Sequence, residues 1–280
     1  MKHAYMILAH KNPNQIKTLL ECLDHQNNDI FIHIDKKNTD IIPDDIRKCI
    51  HKSNLYFTNR ISVAWADYTI VEATYILLKA AVKNGPYIYY HLISGQDMPL
   101  KSISEINSFY ESNDCNINYV SFHQGNHIPS ELKKRIHARK FFFHGGRYVR
   151  KIYDKFLSEK DLSKLPYGKG DAWFDITDAL AKLLIENETW AKSVFKDYLF
   201  PDESFIQTLI NINKLNDTCY SNGVMRKVNW EKSIGGASPN IYCIEDYDYL
   251  INSGMHFARK FDEKIDNNII LKLKEHALEI

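Results

Sequence analysis

The sequence predicts an α/β protein with a mostly parallel central sheet, and three observations carry that prediction. Ala4–Ala9 and Ile30–Ile34 are short apolar runs that flank a stretch with helical spacing, so the first 35 residues read strand, helix, strand. Such a βαβ unit joins two parallel neighbours by a right-handed crossover. Both runs are continuously apolar rather than alternating, as expected of strands covered on both faces. The same order then returns: Leu55–Thr58 is followed by a long helical stretch and by Ile88–Ile93.

Taken in order, the first helix has Asn12 as its expected cap, Pro13 in its first position and Gln15 three residues after the cap. Ile16, Leu19, Leu20 and Leu23 supply its apolar face. The strongest helix carries Ile70, Val71, Thr74, Leu77, Leu78, Ala81 and Val82, and Gly85-Pro86 stops it. Ser102 and Glu105 form a capping box for the next helix. Later stretches predict helices over Thr177–Glu186 and around Trp190 and Val194, and strands over Val224–Trp230 and Asn240–Ile244. A final amphipathic helix has Ile269, Ile270, Leu273 and Ala277 on its apolar side. No repeat or linker interrupts the chain, which reads as one unit over residues 1–280.

Composition narrows the function classes. Lys and Arg number 36 against 35 acids, a net charge of +1, which argues against a nucleic-acid binder. The five cysteines are scattered, odd in number and without a C-x-x-C pair, so neither a zinc site nor a disulfide scaffold is expected. The apolar run at Ala4–Ala9 is too short for a signal-peptide core or a membrane span, and the expected setting is soluble and cytoplasmic. Residues 131–151 carry eight basic residues against Glu131, with Phe141, Phe142 and Phe143 interleaved. Such a cluster either grips phosphates or a membrane surface, or is a solvated helix with core anchors.

Phosphate-loop, dinucleotide and H-E-x-x-H signatures are absent. The one Asp-x-Asp triplet, Asp246-Tyr247-Asp248, sits at an expected helix start and reads as capping rather than metal binding. In open α/β sheets ligands gather at the carboxyl ends of the strands. Here those ends carry His10, Asp35, Trp65 and Asp97. The stretch Leu199–Leu209 begins as a loop and continues as a helix, with Pro201 at the break. That places Asp202 and Glu203 in or next to a first helical turn, where the macrodipole favours an ionised carboxylate. Such a group is either a general base or a stabiliser of the helix start.

Several of these stretches, in this order, resemble the core-2/I-branching β-1,6-N-acetylglucosaminyltransferases and the related protein xylosyltransferases. They are Tyr5–His10, His33–Lys37, Val63–Tyr68, Leu92–Lys101, Gly170–Phe174, Pro201–Phe205 and His256–Phe261. The resemblance covers residues 4 to 262 and rests on order and spacing. It implies a GT-A-type fold with a Rossmann-like nucleotide-binding half over about residues 1–118 and an acceptor and catalytic half over about 119–280. It also implies an inverting transferase that uses a UDP-sugar, with N-acetylglucosamine or xylose as the sugar, and needs no metal. The acceptor would be a glycan or lipid-linked glycan. By the same resemblance Leu8, His10, Asp35 and Trp65 line the nucleotide pocket, and Lys260 meets the diphosphate with Arg259 as helper. Glu203 is the catalytic base and Asp202 the cap, while Asp97, Trp173 and Trp230 face the acceptor. Two departures stand out. Ser238–Cys243 has no second basic residue where the family often carries one, and the anchor and disulfides of animal relatives are missing. The latter implies a bacterial, cytosolic enzyme acting on a surface-glycan precursor. The rival expectation is a catalytically silent glycan-binding protein on the same fold.

Overall fold

The structure is a computed structural model describing residues 2–113, 116–123, 165–230 and 238–278. Strand β1 (His3–Ala9) leads into helix α1 (Pro13–Leu23) and strand β2 (Asn28–Ile34), the expected βαβ unit. A short helix α2 (Pro43–Arg47), strand β3 (Asn54–Phe57), helix α3 (Thr69–Asn84) and strand β4 (Tyr89–Ser94) follow. The main sheet is ordered β3-β2-β1-β4-β7-β6, with β6 (Tyr119–Val120) and β7 (Phe174–Ile176) closing one side. The first four strands run parallel, whereas β7 is antiparallel to both β4 and β6. The α/β class and the mostly parallel sheet are therefore as expected. The carboxyl ends of β1 to β4 share one edge.

Both faces of this sheet are covered, which is why its strands are continuously apolar. Tyr5, Ile7 and Ala9 face the layer made by α1, α4 (Ile103–Ser112) and α8 (Asn267–Leu278). Ala4 and Met6 face the layer made by α3, α5 (Asp178–Glu186), α6 (Glu188–Phe195) and α7 (Phe205–Ile212). The capping box at Ser102 and Glu105 forms as expected: the Glu105 N–H donates to Ser102 Oγ, and the Ser102 N–H donates to Glu105 Oε2. Among the described residues no helix is long and apolar enough to cross a membrane. The basic stretch 133–151 lies outside the described residues.

Three local expectations need correction. Asn12 does not cap α1 with its side chain; it adopts a left-handed backbone with φ of 59° and donates to Asp262 Oδ1 at 3.0 Å. The strand expected over Val224–Trp230 shrinks to β8 (Arg226–Val228). Asn240–Ile244 forms no strand: the Asn240 and Tyr242 N–H groups make single bonds to the carbonyls of Asn229 and Lys260, and the Cys243 N–H is taken by the Asp246 carboxylate, which starts a 3-10 turn over Ile244–Asp246. Further along the chain β9 (Phe257–Arg259) pairs antiparallel to β5 (Met98–Pro99) and parallel to β8. This small sheet stands beside the carboxyl edge of the main one.

Below that edge runs a buried polar chain. His3 Nδ1 and His91 Nε2 are 3.0 Å apart, His91 Nδ1 meets Asp175 Oδ1 at 2.9 Å, and the Tyr110 hydroxyl donates to Asp175 Oδ2 at 2.8 Å. Burial works to raise the Asp175 pKa, but the bonds from His91 and Tyr110 and the charge of Arg226 hold it below the carboxylate range. Burial pushes His256 down to about 4 and, with His91 adding to it, His3 down to about 2. Both are therefore neutral when folded at mildly acid pH. The unfolded chain takes up their protons near pH 6.5 and the folded chain does not, so stability falls as pH drops below that value. Each contributes a slope of about 1.4 kcal/mol per pH unit, ending near the folded pKa. Denaturation midpoints measured between pH 7 and 5 will fall steadily; a flat profile there would contradict the neutral buried histidines.

Candidate active site

The ends of β1, β2 and β3 are tied together by backbone groups. The Asp35 N–H donates to the Ala9 carbonyl at 2.8 Å, and Arg60 donates to the carbonyls of Ile34 and Asp35 at 3.1 and 2.8 Å. The Lys36 N–H donates to Ile61 O at 2.9 Å, so the loop after β3 lies against the end of β2. Asp35 is buried and accepts from the Lys37 N–H at 2.9 Å. Leu8 is half-buried and His10 exposed at the same edge. The protein packed around His10, then the charges of Lys11 and Lys260, lower its pKa, with Asp35 opposing and Arg259 adding to the lowering. Those four charged groups are thus its electrostatic neighbours. Trp65 projects from the loop after β3, 59% exposed, with its ring edge-on to Phe200 at 5.0 Å.

The small sheet supplies the cations. Val228 of β8 lies opposite Arg259 of β9, and Arg226 opposite Phe257. Asp97, at the start of β5, stands between the two arginines: Arg226 Nε is 3.2 Å from Oδ2 and Arg259 Nε 3.3 Å from Oδ1. Arg259 also lies over the face of Trp173 at 4.2 Å, with Arg226 at 5.3 Å. Burial raises the Asp97 pKa and lowers that of Arg259, while the ion pairs oppose both shifts. Next along the chain, Lys260 donates to Ser238 Oγ at 3.1 Å. Burial, then the charges of Lys11 and Arg259, depress the Lys260 pKa. Such a desolvated, crowded cation gains from an arriving anion.

A third group completes the edge. Pro201–Glu203 forms a 3-10 turn before α7, entered through Phe200 with a left-handed φ of 54°. Asp202 and Glu203 therefore sit one turn ahead of the α-helix rather than within it. Glu203 is half-buried, and its carbonyl accepts from the Gly170 N–H at 2.9 Å. Gly170 has to be glycine, since a Cβ there would collide with the Ser121 carbonyl. Beside this turn Asp171 Oδ2 accepts from Ser121 Oγ at 2.8 Å, and Asp171 Oδ1 is 3.5 Å from His123 Nε2. The Asp171 hydrogen bond raises the His123 pKa, and the Glu203 charge adds to it. Arg259 is within reach of the charges of Asp171 and Asp202. The His10–Lys260 group and the Glu203 turn thus meet through Arg259.

Residues 3–250 match the Core-2/I-Branching enzyme family. The chain belongs to that family. It is 26% identical over 310 residues to the β-1,3-galactosyl-O-glycosyl-glycoprotein β-1,6-N-acetylglucosaminyltransferase 4 of Mus musculus, a match covering 99% of this chain and 65% of that protein. It is 22% identical over 296 residues to xylosyltransferase 2 of Rattus norvegicus, covering 98% of this chain and 33% of that protein. The chain therefore spans from about a third to just under two thirds of the length of these relatives. Among solved structures, the apo-form glycosyltransferase GlyE of Streptococcus pneumoniae TIGR4 is similar at a TM-score of 0.44 and 10% identity, covering 99% of this chain and 60% of that one.

In this member of the Core-2/I-Branching family, the residues expected at the site divide. Leu8, His10, Asp35, Trp65, Glu203, Arg259 and Lys260 all lie along the carboxyl edge. Asp97 does not face an acceptor: it is 0% exposed and spent on the two arginines. Trp173 is buried too, its ring face covered by Arg259, so it supports a cation instead of stacking on a sugar. Trp230, just beyond β8, is 52% exposed and open to a ligand. Reading the sequence missed Arg226, whose strand was foreseen but whose burial was not, and the His123–Asp171 pair. Arg226 is a second basic residue beside Arg259, and it comes from β8, the neighbour of β9 on the side away from β5. Asp97→Asn removes the carboxylate between the buried Arg226 and the half-buried Arg259, and breaking such a pair costs about 3–5 kcal/mol. Chemical denaturation should show a loss in that range, whereas a loss under about 1 kcal/mol would refute the shared-carboxylate arrangement.

Proposed function

We propose that this chain is an inverting glycosyltransferase of the GT-A type, moving N-acetylglucosamine or xylose from a UDP-sugar to a hydroxyl of a glycan acceptor. The observation that carries the proposal is the meeting of the Glu203 turn with Arg259 and Lys260 at the carboxyl edge of a parallel sheet. Glu203 accepts the proton of the acceptor hydroxyl while that oxygen attacks the anomeric carbon from the side opposite the diphosphate. The bond from the anomeric carbon to the phosphate oxygen breaks, and UDP leaves with the bonding pair. In-line displacement inverts the anomeric configuration. Lys260 and Arg259 meet the charge that builds on the departing diphosphate, fixed in advance by Ser238 and Asp97. His10, Asp35 and Trp65 line the nucleotide side, and Trp230 offers an aromatic face to the acceptor.

These fixed cations do what a divalent ion does elsewhere, and the reaction proceeds without metal. Among the described residues, two carboxylates of the late acidic stretch are engaged by backbone amides. Asp246 accepts from the Cys243 N–H at 2.9 Å. Asp266, which lies near Cys243 and Glu245, accepts from the N–H groups of Ile244 and Asn268 at 2.7 and 2.8 Å. The names of the two relatives support N-acetylglucosamine and xylose as the candidate sugars. We place the enzyme in the cytoplasm, acting on a glycan or lipid-linked glycan.

Glu203→Gln keeps the shape of the side chain and removes the base. It should lower transfer from UDP-N-acetylglucosamine or UDP-xylose by about 10²-fold or more and leave UDP affinity within about twofold. Turnover equal to wild type would remove Glu203 from the mechanism.

A further inference from the structure

The nucleotide side and the base are joined by a contact that the reaction scheme does not use. Trp65 sits on the loop after β3, and its ring meets Phe200 edge-on at 5.0 Å with an interplanar angle of 86°. The backbone closes the same junction, the Phe200 N–H donating to the Ala66 carbonyl at 3.2 Å. Ala66 and Phe200 both hold a left-handed φ, at 59° and 54°, a conformation that is uncommon outside glycine and asparagine and persists only where surroundings enforce it. From Phe200 the path to the base is one hydrogen bond long: the Glu203 N–H donates to the Phe200 carbonyl at 3.2 Å.

We propose that Phe200 is a positioning residue that couples occupancy of the nucleotide site at Trp65 to the placement of Glu203. This rests on the reading of Trp65 as a wall of the donor pocket. A uridine or sugar settling against the exposed face of Trp65 fixes the indole, which fixes the Phe200 ring and through its carbonyl the 3-10 turn. The base is then set for the acceptor only when a donor is present, which favours donor binding before acceptor binding. The strength of the coupling is bounded by the contact that carries it. An edge-on aromatic pair shifts an equilibrium by roughly 2- to 12-fold.

Hydrogen exchange with UDP as the probe reads this directly. UDP binding, measured by calorimetry, is expected to slow exchange of the Phe200, Glu203 and Ser204 amides by about 2- to 12-fold in the wild type. Phe200→Asn keeps a residue that tolerates the left-handed backbone and removes the ring. It is expected to bind UDP within about twofold of wild type, to lose the UDP-dependent slowing, and to lower kcat more than it raises the donor KM. Phe200→Tyr, which keeps the ring, is expected to restore both. UDP bound by the wild type with no slowing at these amides overturns the inference whatever the variants do, and so does slowing that survives in Phe200→Asn. Failure of the wild type to bind UDP at millimolar concentration overturns the proposed function as well, so the two failures are told apart.

Discussion

Asp97 is a carboxylate with no exposed surface, placed between two guanidiniums that would otherwise repel each other inside the protein. Much of the site follows from that arrangement. The turn that carries Asp97 is tied to the end of β1 through the Gly95 N–H, which donates to Leu8 O at 2.9 Å. It is tied to the end of β9 by Gln96, whose carbonyl accepts from the Phe261 N–H and whose side chain donates to Phe261 O, both at 3.0 Å. The Ser94-Gly95-Gln96-Asp97 stretch is therefore a joint between the main sheet and the small one. It sets Arg259 in direction, and by chain continuity it sets Lys260. A low-dielectric surrounding makes each of these ion pairs strong and makes the loss of any one partner costly.

The start of α1 bears on the same chemistry. A helix N-terminus following the first strand of an α/β sheet is a common place for a phosphate. Here the chain fills it with its own carboxylate: Glu263 Oε2 accepts from the Gln15 N–H at 2.5 Å. Asp262 takes Lys11 at 2.6 Å and the Asn12 side chain at 3.0 Å. These bonds fasten the segment after Lys260 to the first βα loop. On the proposed function the side chains of Arg259 and Lys260, not backbone amides, meet the phosphates, in keeping with a sequence that has few glycines and no phosphate loop.

What could be read from the sequence was whatever depends on local pattern. The βαβ start, α3 with its Gly85-Pro86 stop, and the Ser102–Glu105 box are set by neighbours a few residues apart. The carboxyl-edge placement of His10, Asp35, Trp65 and Asp97 followed from topology, since strand ends in a parallel sheet share an edge, whereas Glu203 was singled out by its helix-start position and the family resemblance. The roles of Asp97 and Trp173 were misjudged because an aspartate before a proline and a tryptophan in a loop look alike whether exposed or buried. Their surroundings are made by Arg226 and Arg259, which are more than 120 residues from Asp97 in the chain. Asn12 was misread for a similar reason: its side chain leaves the local helix for Asp262, 250 residues away. Long-range pairing of this kind leaves no mark in spacing or periodicity.

The central claim is that fixed side-chain cations, rather than a bound divalent ion, hold the donor diphosphate. Titration calorimetry of UDP in excess chelator, on the wild type and on Lys260→Met, tests it most directly. Binding should persist in chelator, be unchanged by added Mn²⁺, and weaken by about tenfold or more in Lys260→Met, as expected for loss of a charge-assisted contact. Binding that vanishes in chelator and returns with Mn²⁺, or a Lys260→Met protein that binds as well as wild type, would contradict the account.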